Sequence, residues 1–546
     1  MTIRKALCLF LLVTINSGAA SAANKPQRTE WFIDQALGMF VHWSVDSQLG
    51  SVISHSMVGA SDDYLDRFIH ELPQTFYPQR FDPDEWARLA RVAGMKYMVF
   101  TTKHHSGFCM FDTRTTDFNI MNTPYGRDIT RQVVDACRRQ GVGVGFYFSP
   151  DDFWMLHKQG KDVSRRRPEA LPVNNPELMA HNKAQLRELL TNYGPVDALF
   201  IDGQPDGLKE LAWELQPHLV ITRGEMETPE QKTPDEPMPG PWEACYTLGT
   251  QWQFKPTNED YKSGGQLIQM LIEIRAKGGN FLLNVGPTPE GEIPEPSVER
   301  LRQMGQWLKV NGEAIYGATA SPFRKFAWGR CTAKPGKLYF HVFDWPKDGK
   351  LALPPFSNKV TKAYLLAGRK ELEAARDGAK VTVSVPAEMP GKHAAVVVVE
   401  IEGEPEVTAY LIPQAADGSV TLKGAEAALH GGTIRFEGDK NCIGFWTNAG
   451  DSVSWAFKLE KPGTFTVELT YACDKSSGGS TFAVAVGGQK LEGKIEPTGD
   501  WTAFKTVTLG TLELAKPGKQ TLTVKAKTKP KLAVMNLRSI VLKPAE

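Results

Sequence analysis

From residue 28 to about residue 318, short apolar runs alternate with stretches of amphipathic helical spacing. The runs "GMFVHW", "KYMVFTTKHH", "VGVGFYFSP", "VDALFIDG", "LVITRGE" and "GNFLLNVGP" are continuous enough to be strands buried on both faces. Between them, "PDEWARLARVAG", "DITRQVVDACRRQG", "NKAQLRELLTNYG" and "GGQLIQMLIEIRAKGG" carry apolar positions at helical intervals. Helices that keep returning the chain to new buried strands predict an α/β unit, either a parallel barrel or a doubly wound sheet.

The strand ends choose between the two. Nearly every apolar run finishes on a polar or aromatic residue: His42, His104 with His105, Tyr147, Asp202, Arg223 and Asn284. In a (β/α)8 barrel all the C-terminal strand ends surround one pocket, so several strands each supply a group. An open sheet brings fewer strand ends to its crevice and announces a phosphate site with a glycine-rich turn, which this chain lacks. A (β/α)8-like barrel over residues 28–318 is therefore expected.

After Tyr316 the period changes from helical to twofold. Residues 319–403 ("KLYFHVFDW", "KVTVSV", "AAVVVVEIE") read as a small β-sandwich, and a linker near Glu402-Gly403-Glu404-Pro405 leads on. Residues 404–546 hold further alternating strands with Gly and Lys-Pro-Gly turns, the pattern of a second sandwich or jelly roll.

At 546 residues the chain is too long for one core. Its 63 basic and 62 acidic residues leave a net charge of +1, so no polyanion such as nucleic acid is expected as a partner. The N-terminus places Arg4 and Lys5 before an apolar run that closes on Ala20-Ser21-Ala22, the form of a secretory signal peptide over residues 1–22. The run is too short to span a bilayer, and no later segment is apolar enough for a membrane span. An exported protein, periplasmic or extracellular, follows. Six cysteines remain after the signal, without the close spacing of a zinc site, and Cys442–Cys473 is the one pairing expected if a disulfide forms.

Asp202 is the strongest chemical candidate. It ends an apolar strand and precedes Gly203, so its carboxylate is approachable from a pocket and suited to attack an anomeric carbon. Asp-Gly is equally a turn dipeptide, in which Asp202 would only cap the turn. A retaining glycosidase also needs a protonated second carboxyl. Glu243, beside Trp242, is attractive because the indole would desolvate it; Glu225, Glu227, Asp151 and Asp152 are competitors. His42, His104 and His105 offer hydrogen bonds to sugar hydroxyls, and Trp43 an apolar face. The rival is a metal-dependent hydrolase with histidine and aspartate ligands, but its usual close-spaced ligand motifs are missing.

These segments, in order, resemble glycoside hydrolase family 29, the secreted α-L-fucosidases. The resemblance is carried by "WFIDQALGMFVHWS", "AGMKYMVFTTKHHSGFCMFDTRTTDFNIMNTPYGRDI", "GVGFYFSP", "YGPVDALFIDGQ", "GPWEACYTLG" and "KGGNFLLNVGPTPEGEIP" followed by "WLKVNGEAIYG". It implies a (β/α)8-like barrel and an exo-acting retaining mechanism on fucosylated glycans that needs no cofactor and no metal. It gives Asp202 the role of nucleophile and Glu243 that of acid/base. His42, His104, His105, Tyr147 and Arg223 become the sugar pocket, with Trp242 at its edge. Many relatives carry a Glu-Trp pair after the first strand, where this chain reads "SVISHSMVGASDDY", so His55 is expected to form that wall. The last unit resembles galactose-binding-like carbohydrate-binding jelly rolls, with Phe445, Trp446, Trp455 and Trp501 as stacking candidates and Trp455 the one best placed for the core. The alternative function is a non-catalytic carbohydrate-binding protein on a decayed barrel.

Overall fold

The computed structural model describes residues 23–545, apart from 166, 235, 236, 239, 325, 327, 379, 408–410, 432, 438 and 439. The expected signal peptide lies outside the described residues. Seven parallel strands make the first sheet: β1 (Leu37–Val41), β2 (Tyr97–Lys103), β3 (Gly143–Phe148), β4 (Ala198–Ile201), β5 (Val220–Ile221), β6 (Glu243–Thr247) and β7 (Asn280–Val285). They pair in the order β5-β4-β3-β2-β1-β7-β6, the curled α/β sheet of a barrel. Beside β6 and the residue before it, the segment 227–231 makes the isolated bridges Glu227↔Trp242 and Glu230↔Cys245. Pro229 in this segment has no N–H to donate, so it cannot extend a regular ladder there.

Local sequence explains the helices that wrap the sheet. Asp82 caps Pro83–Val92 by accepting from Asp84 N and Glu85 N, with Pro83 in the first turn. Asp128 caps Ile129–Gln140, and Gly141, at φ 68°, ends it in the left-handed conformation. Ser263 and Gln266 form a reciprocal capping box at Gly264–Ala276.

Strand alternation divides the barrel core into two shells. Phe40, Tyr97, Val99, Tyr147, Ala198, Phe200, Val220, Cys245 and Leu282 fill the interior. Met39, Val41, Met98, Phe100, Leu283 and Val285 face the helices. Trp43 belongs to the outer shell. It is fully buried against Phe76, Phe81 and Trp86, so it is not the sugar platform expected of it.

The small sandwich pairs β8 (Gly329–Lys334), β9 (Lys337–Val342), β11 (Val360–Leu365) and β14 (Ala395–Ile401) in one sheet, against β10 (Lys350–Ala352), β12 (Ala374–Asp377) and β13 (Lys380–Ser384) in the other. Its Tyr339, Tyr364, Val396 and Val398 join the outer shell of the barrel core, and Trp307 Nε1 donates to Ala394 O at 2.9 Å. Barrel and small sandwich thus form one compact unit, residues 23–354 with 358–405 of those described; the second holds 355–357 with the described residues from 406 onward.

The second unit is a β-sandwich with its own core, in which Trp446 and Trp455 are both buried. Neither is available for stacking on a sugar. Cys473 is a free thiol, so the Cys442–Cys473 bridge does not form. Among the described residues, no helix is long and apolar enough to cross a membrane.

Candidate active site

β4 ends at Ile201, and Asp202 stands at its C-terminal rim with its N–H bonded to Phe148 O at 3.0 Å. Gly203 follows at φ 153°, where a Cβ would lie 2.6 Å from Pro150 Cγ, so the tight turn admits only glycine. The carboxylate of Asp202 is a hub. Tyr147 donates its hydroxyl to Oδ2 at 2.7 Å, and Arg223 Nη1 donates to Oδ1 at 3.0 Å. His105 Nε2 lies 3.5 Å from Oδ2, and Arg165 Nη2 lies 3.6 Å from Oδ1.

Both adjacent histidines reach this hub because β2 stops at Lys103, which frees the next two residues from strand alternation. The His104 and His105 rings sit 4.1 Å apart, and His104 stacks on Tyr147 at 5.1 Å with ring planes 3° apart. Lys103 turns away and is fully buried, bonded to Asp152 Oδ2 at 3.1 Å and Asn182 Oδ1 at 2.7 Å. Asp152 also caps the following helix through Met155 N, so it anchors the rim rather than reacting.

Second partners set the imidazole tautomers. Asn284 gives its amide N–H to Trp252 O at 2.5 Å, so its oxygen faces His42 and accepts from Nδ1 at 2.6 Å. His42 Nε2 is left as an acceptor. Ser149 donates to Asp151 O at 3.2 Å and therefore accepts from His105 Nδ1 at 2.6 Å. His104 Nδ1 pairs with Ser54 Oγ at 2.9 Å, on the segment that also carries His55. His55, expected to form a pocket wall, is exposed and lies 6.0 Å ring to ring from His105.

Burial lowers the pKa of His42 to about 4 and that of His105 to about 3, so both are neutral at ordinary pH. Burial works against ionisation of Asp202 as well. His105, Arg223, Arg165 and the Tyr147 hydroxyl outweigh it and hold the carboxyl well below its usual range. With His105 neutral, Arg223 and Arg165 are the standing charges that keep Asp202 anionic.

The structure corrects the second carboxyl. Glu243 opens β6, paired with Asn280 at the amino-terminal end of the sheet. Its carboxyl is fully buried and accepts from Tyr97 OH in the lowest layer of the barrel. Cys245, two residues further along the same face, already belongs to the next layer. Glu243 therefore lies at least one layer, about 6–7 Å of strand, below the catalytic rim. Burial raises its pKa to about 7, against the hydrogen bond from Tyr97, but no substrate reaches it. Trp242 fails for the same reason. It is fully buried under Gly279 and donates to Lys277 O at 3.2 Å. Glu225 is held by Lys209 at 2.8 Å, and Asp151 by Arg165 at 2.5 Å.

The carboxyl that does reach the site is Glu230, which residue spacing did not single out. Arg223 Nη2 donates to Glu230 Oε2 at 3.0 Å while Nη1 holds Asp202, and the Glu230 side chain is 44% exposed. Oxygens bonded to the two ends of one guanidinium lie within about 8 Å of each other. That range includes the roughly 5 Å carboxyl separation of retaining glycosidases. Arg165 and Trp252 were also missed, since both sit on loops without periodicity. The Trp252 ring packs 5.0 Å from His42 and 6.0 Å from Phe40, taking the apolar role expected of Trp43.

One nitrogen each of His104 and His105 and an oxygen of Asp202 lie within 4.8 Å of one another. The rival metal reading fits this poorly, because two guanidinium groups already surround the one anionic ligand and would repel a dication.

A family model described as Alpha-L-fucosidase matches residues 16–313, and a domain of unknown function matches residues 432–546. The plasma α-L-fucosidase of Rattus norvegicus is 30% identical over 377 residues, 59% of this chain and 79% of that one. The structure of α-L-fucosidase isoenzyme 1 from Paenibacillus thiaminolyticus superposes with a TM-score of 0.62 at 34% identity, covering 69% of this chain and 99% of that one. A glycoside hydrolase family 29 enzyme of Bacteroides thetaiotaomicron, trapped as a covalent intermediate, superposes with a TM-score of 0.61 at 25% identity over 70% of this chain and 97% of its own. The ordered motifs, the curled parallel sheet and the carboxylate ringed by histidines agree with these likenesses: the chain belongs to the α-L-fucosidases of glycoside hydrolase family 29.

Proposed function

We propose that this retaining α-L-fucosidase uses Asp202 as its nucleophile and Glu230, rather than Glu243, as its acid/base. The observation that carries the pairing is the Arg223 guanidinium, which binds both carboxylates at 3.0 Å. Asp202 Oδ attacks the anomeric carbon from one face as protonated Glu230 donates to the departing glycosidic oxygen on the other. The product is a fucosyl ester on Asp202 and a free alcohol. Glu230, now ionised, removes a proton from water as that water attacks the anomeric carbon, and Asp202 leaves as carboxylate. Two inversions give net retention.

The neutral imidazoles of His42 and His104 and the hydroxyl of Tyr147 meet the sugar hydroxyls, and Trp252 with Phe40 offers an apolar wall to the deoxy C6 methyl. The N-terminal segment with Arg4, Lys5 and Ala20-Ser21-Ala22 supports export to a periplasmic or extracellular glycan. A fractionation that leaves the full-length precursor in the cytoplasm would contradict export.

Azide separates the two carboxyl roles by stereochemistry. Asp202→Gly with azide yields β-L-fucosyl azide, by one inversion from an α-fucoside. Glu230→Ala with azide yields α-L-fucosyl azide, formed from the ester on Asp202. Absence of the α-azide from Glu230→Ala, or its appearance from Glu243→Ala, overturns the assignment.

A further inference from the structure

A second candidate site lies wholly within the last unit. The strand Arg435–Glu437 pairs with Cys442–Gly444 (Arg435↔Gly444), which pairs in turn with Asn536–Pro544 (Ile443↔Leu537). Ile443 and Leu537 are fully buried in the core. Alternation therefore turns Arg435, Glu437, Asn536 and Arg538 to the opposite face. There each arginine lies flat on an aromatic ring. The guanidinium carbon of Arg435 is 3.3 Å from the ring centre of Phe445, and that of Arg538 is 3.4 Å from that of Phe504. A guanidinium stacked by its face can still present an N–H edge to two oxygens of an oxyanion.

Three further features distinguish this face from ordinary surface. Phe445 is 44% exposed and adopts φ 52°, a strained conformation for an aromatic residue. Gly444 forms a floor over which Glu437 Oε2 and Asn536 Oδ1 converge; a Cβ there would lie 2.1 and 2.9 Å from them. Asn536 is nearly fully buried and is oriented by donating to Trp501 O at 2.8 Å. Among the described residues neither arginine is paired with a carboxylate, because Glu437 is taken by Lys440 at 2.9 Å. Arg538 Nη2 donates to Lys440 O at 3.1 Å, and its buried Nε has no hydrogen-bond partner among the described residues.

We propose that this face binds a sulfated glycan, with Arg435 and Arg538 each taking a sulfate ester and the acceptors over Gly444 taking sugar hydroxyls between them. The two arginines are two strands apart, roughly 10 Å, which suits charges on neighbouring or alternate sugars of one chain. Sulfate rather than carboxylate follows from the fucosidase reading, on which this choice rests. Fucose carries a methyl group at C6, so a fucose-rich glycan acquires negative charge as an ester.

The test is equilibrium binding of the full chain to an immobilised sulfated fucan and to the same polymer after chemical desulfation. Wild type is expected to bind the sulfated form at least about tenfold more tightly. Arg435→Gln and Arg538→Gln, which keep a planar group on each ring, should each weaken binding about tenfold, and together roughly a hundredfold. Phe445→Ala should weaken it without touching a charge. In every variant, hydrolysis of 4-nitrophenyl α-L-fucoside and the thermal midpoint should match wild type, which shows that the fold is intact. Equal binding to both polymers, no binding by wild type, or full binding by the double variant overturns the proposal. A catalytically silent wild type would instead count against the fucosidase reading, since sulfate-dependent binding is measured without turnover.

Discussion

Arg223 holds Asp202 with one terminal nitrogen and Glu230 with the other, each at 3.0 Å. One side chain thereby ties together the two carboxyls proposed to carry the reaction. Glu243, beside a tryptophan and twenty residues after Arg223, belongs to another layer of the barrel.

Asp202→Asn should lower kcat/KM for 4-nitrophenyl α-L-fucoside by about 10³-fold or more, because no ester can form. Glu230→Gln should lose far less on this activated substrate than on a natural fucoside, whose leaving group needs a proton. Equal losses on both, measured by steady-state kinetics, would remove Glu230 from the acid role.

Glu243→Gln should leave kcat/KM on both substrates close to wild type and change the dependence of stability on pH. The folded protein raises the Glu243 pKa to about 7, so this group's contribution is complete below its unfolded value near 4.5 and is lost as pH rises through 7. The loss amounts to roughly 3 kcal/mol at pH 8. Asp46 and Asp151, raised by burial to about 6, act in the same direction and remain in the variant. Thermal midpoints between pH 5 and 8 should therefore fall less steeply in Glu243→Gln. Parallel curves would show that Glu243 does not titrate there.

Arg165→Gln should move the acid limb of the kcat/KM profile to higher pH. Removing one of two guanidiniums beside Asp202 weakens the force that keeps its carboxyl ionised, so protonation silences the nucleophile earlier. An unchanged limb with a uniformly lower rate would make Arg165 only a structural tie to Asp151.

Asn284→Ala should raise KM and lower kcat/KM by about 10–100-fold, since His42 loses the acceptor that fixes its tautomer. Asn284→Asp, which keeps an acceptor at that place, should recover part of the loss. No difference between the two variants would refute the tautomer argument.

Lys103→Met should destabilise the fold by about 3–5 kcal/mol, because Asp152 would be left charged and fully buried. Adding Asp152→Asn should return much of that stability in chemical denaturation. Failure of the second change to compensate would mean that packing of the lysine stem dominates over the ion pair.

Periodicity along the chain was enough to reveal a barrel, a small sandwich and a final β-unit, because burial on one or both faces of an element repeats at a fixed interval. It also exposed His42, His104, His105, Tyr147, Asp202 and Arg223, since a polar residue closing an apolar strand has only the barrel mouth to face. Other features depend on which loops meet at that mouth. Glu230 follows a two-residue strand and enters the site through a bridge to Cys245. Arg165 and Trp252 arrive on loops whose spacing carries no period. Glu243 and Trp242 stand in sequence like an acid and its shield, yet strand β6 starts at Glu243 and so sends its carboxyl to the closed end of the barrel. A strand's direction relative to the pocket separates a reactive carboxyl from a buried one, and that direction is set by tertiary pairing.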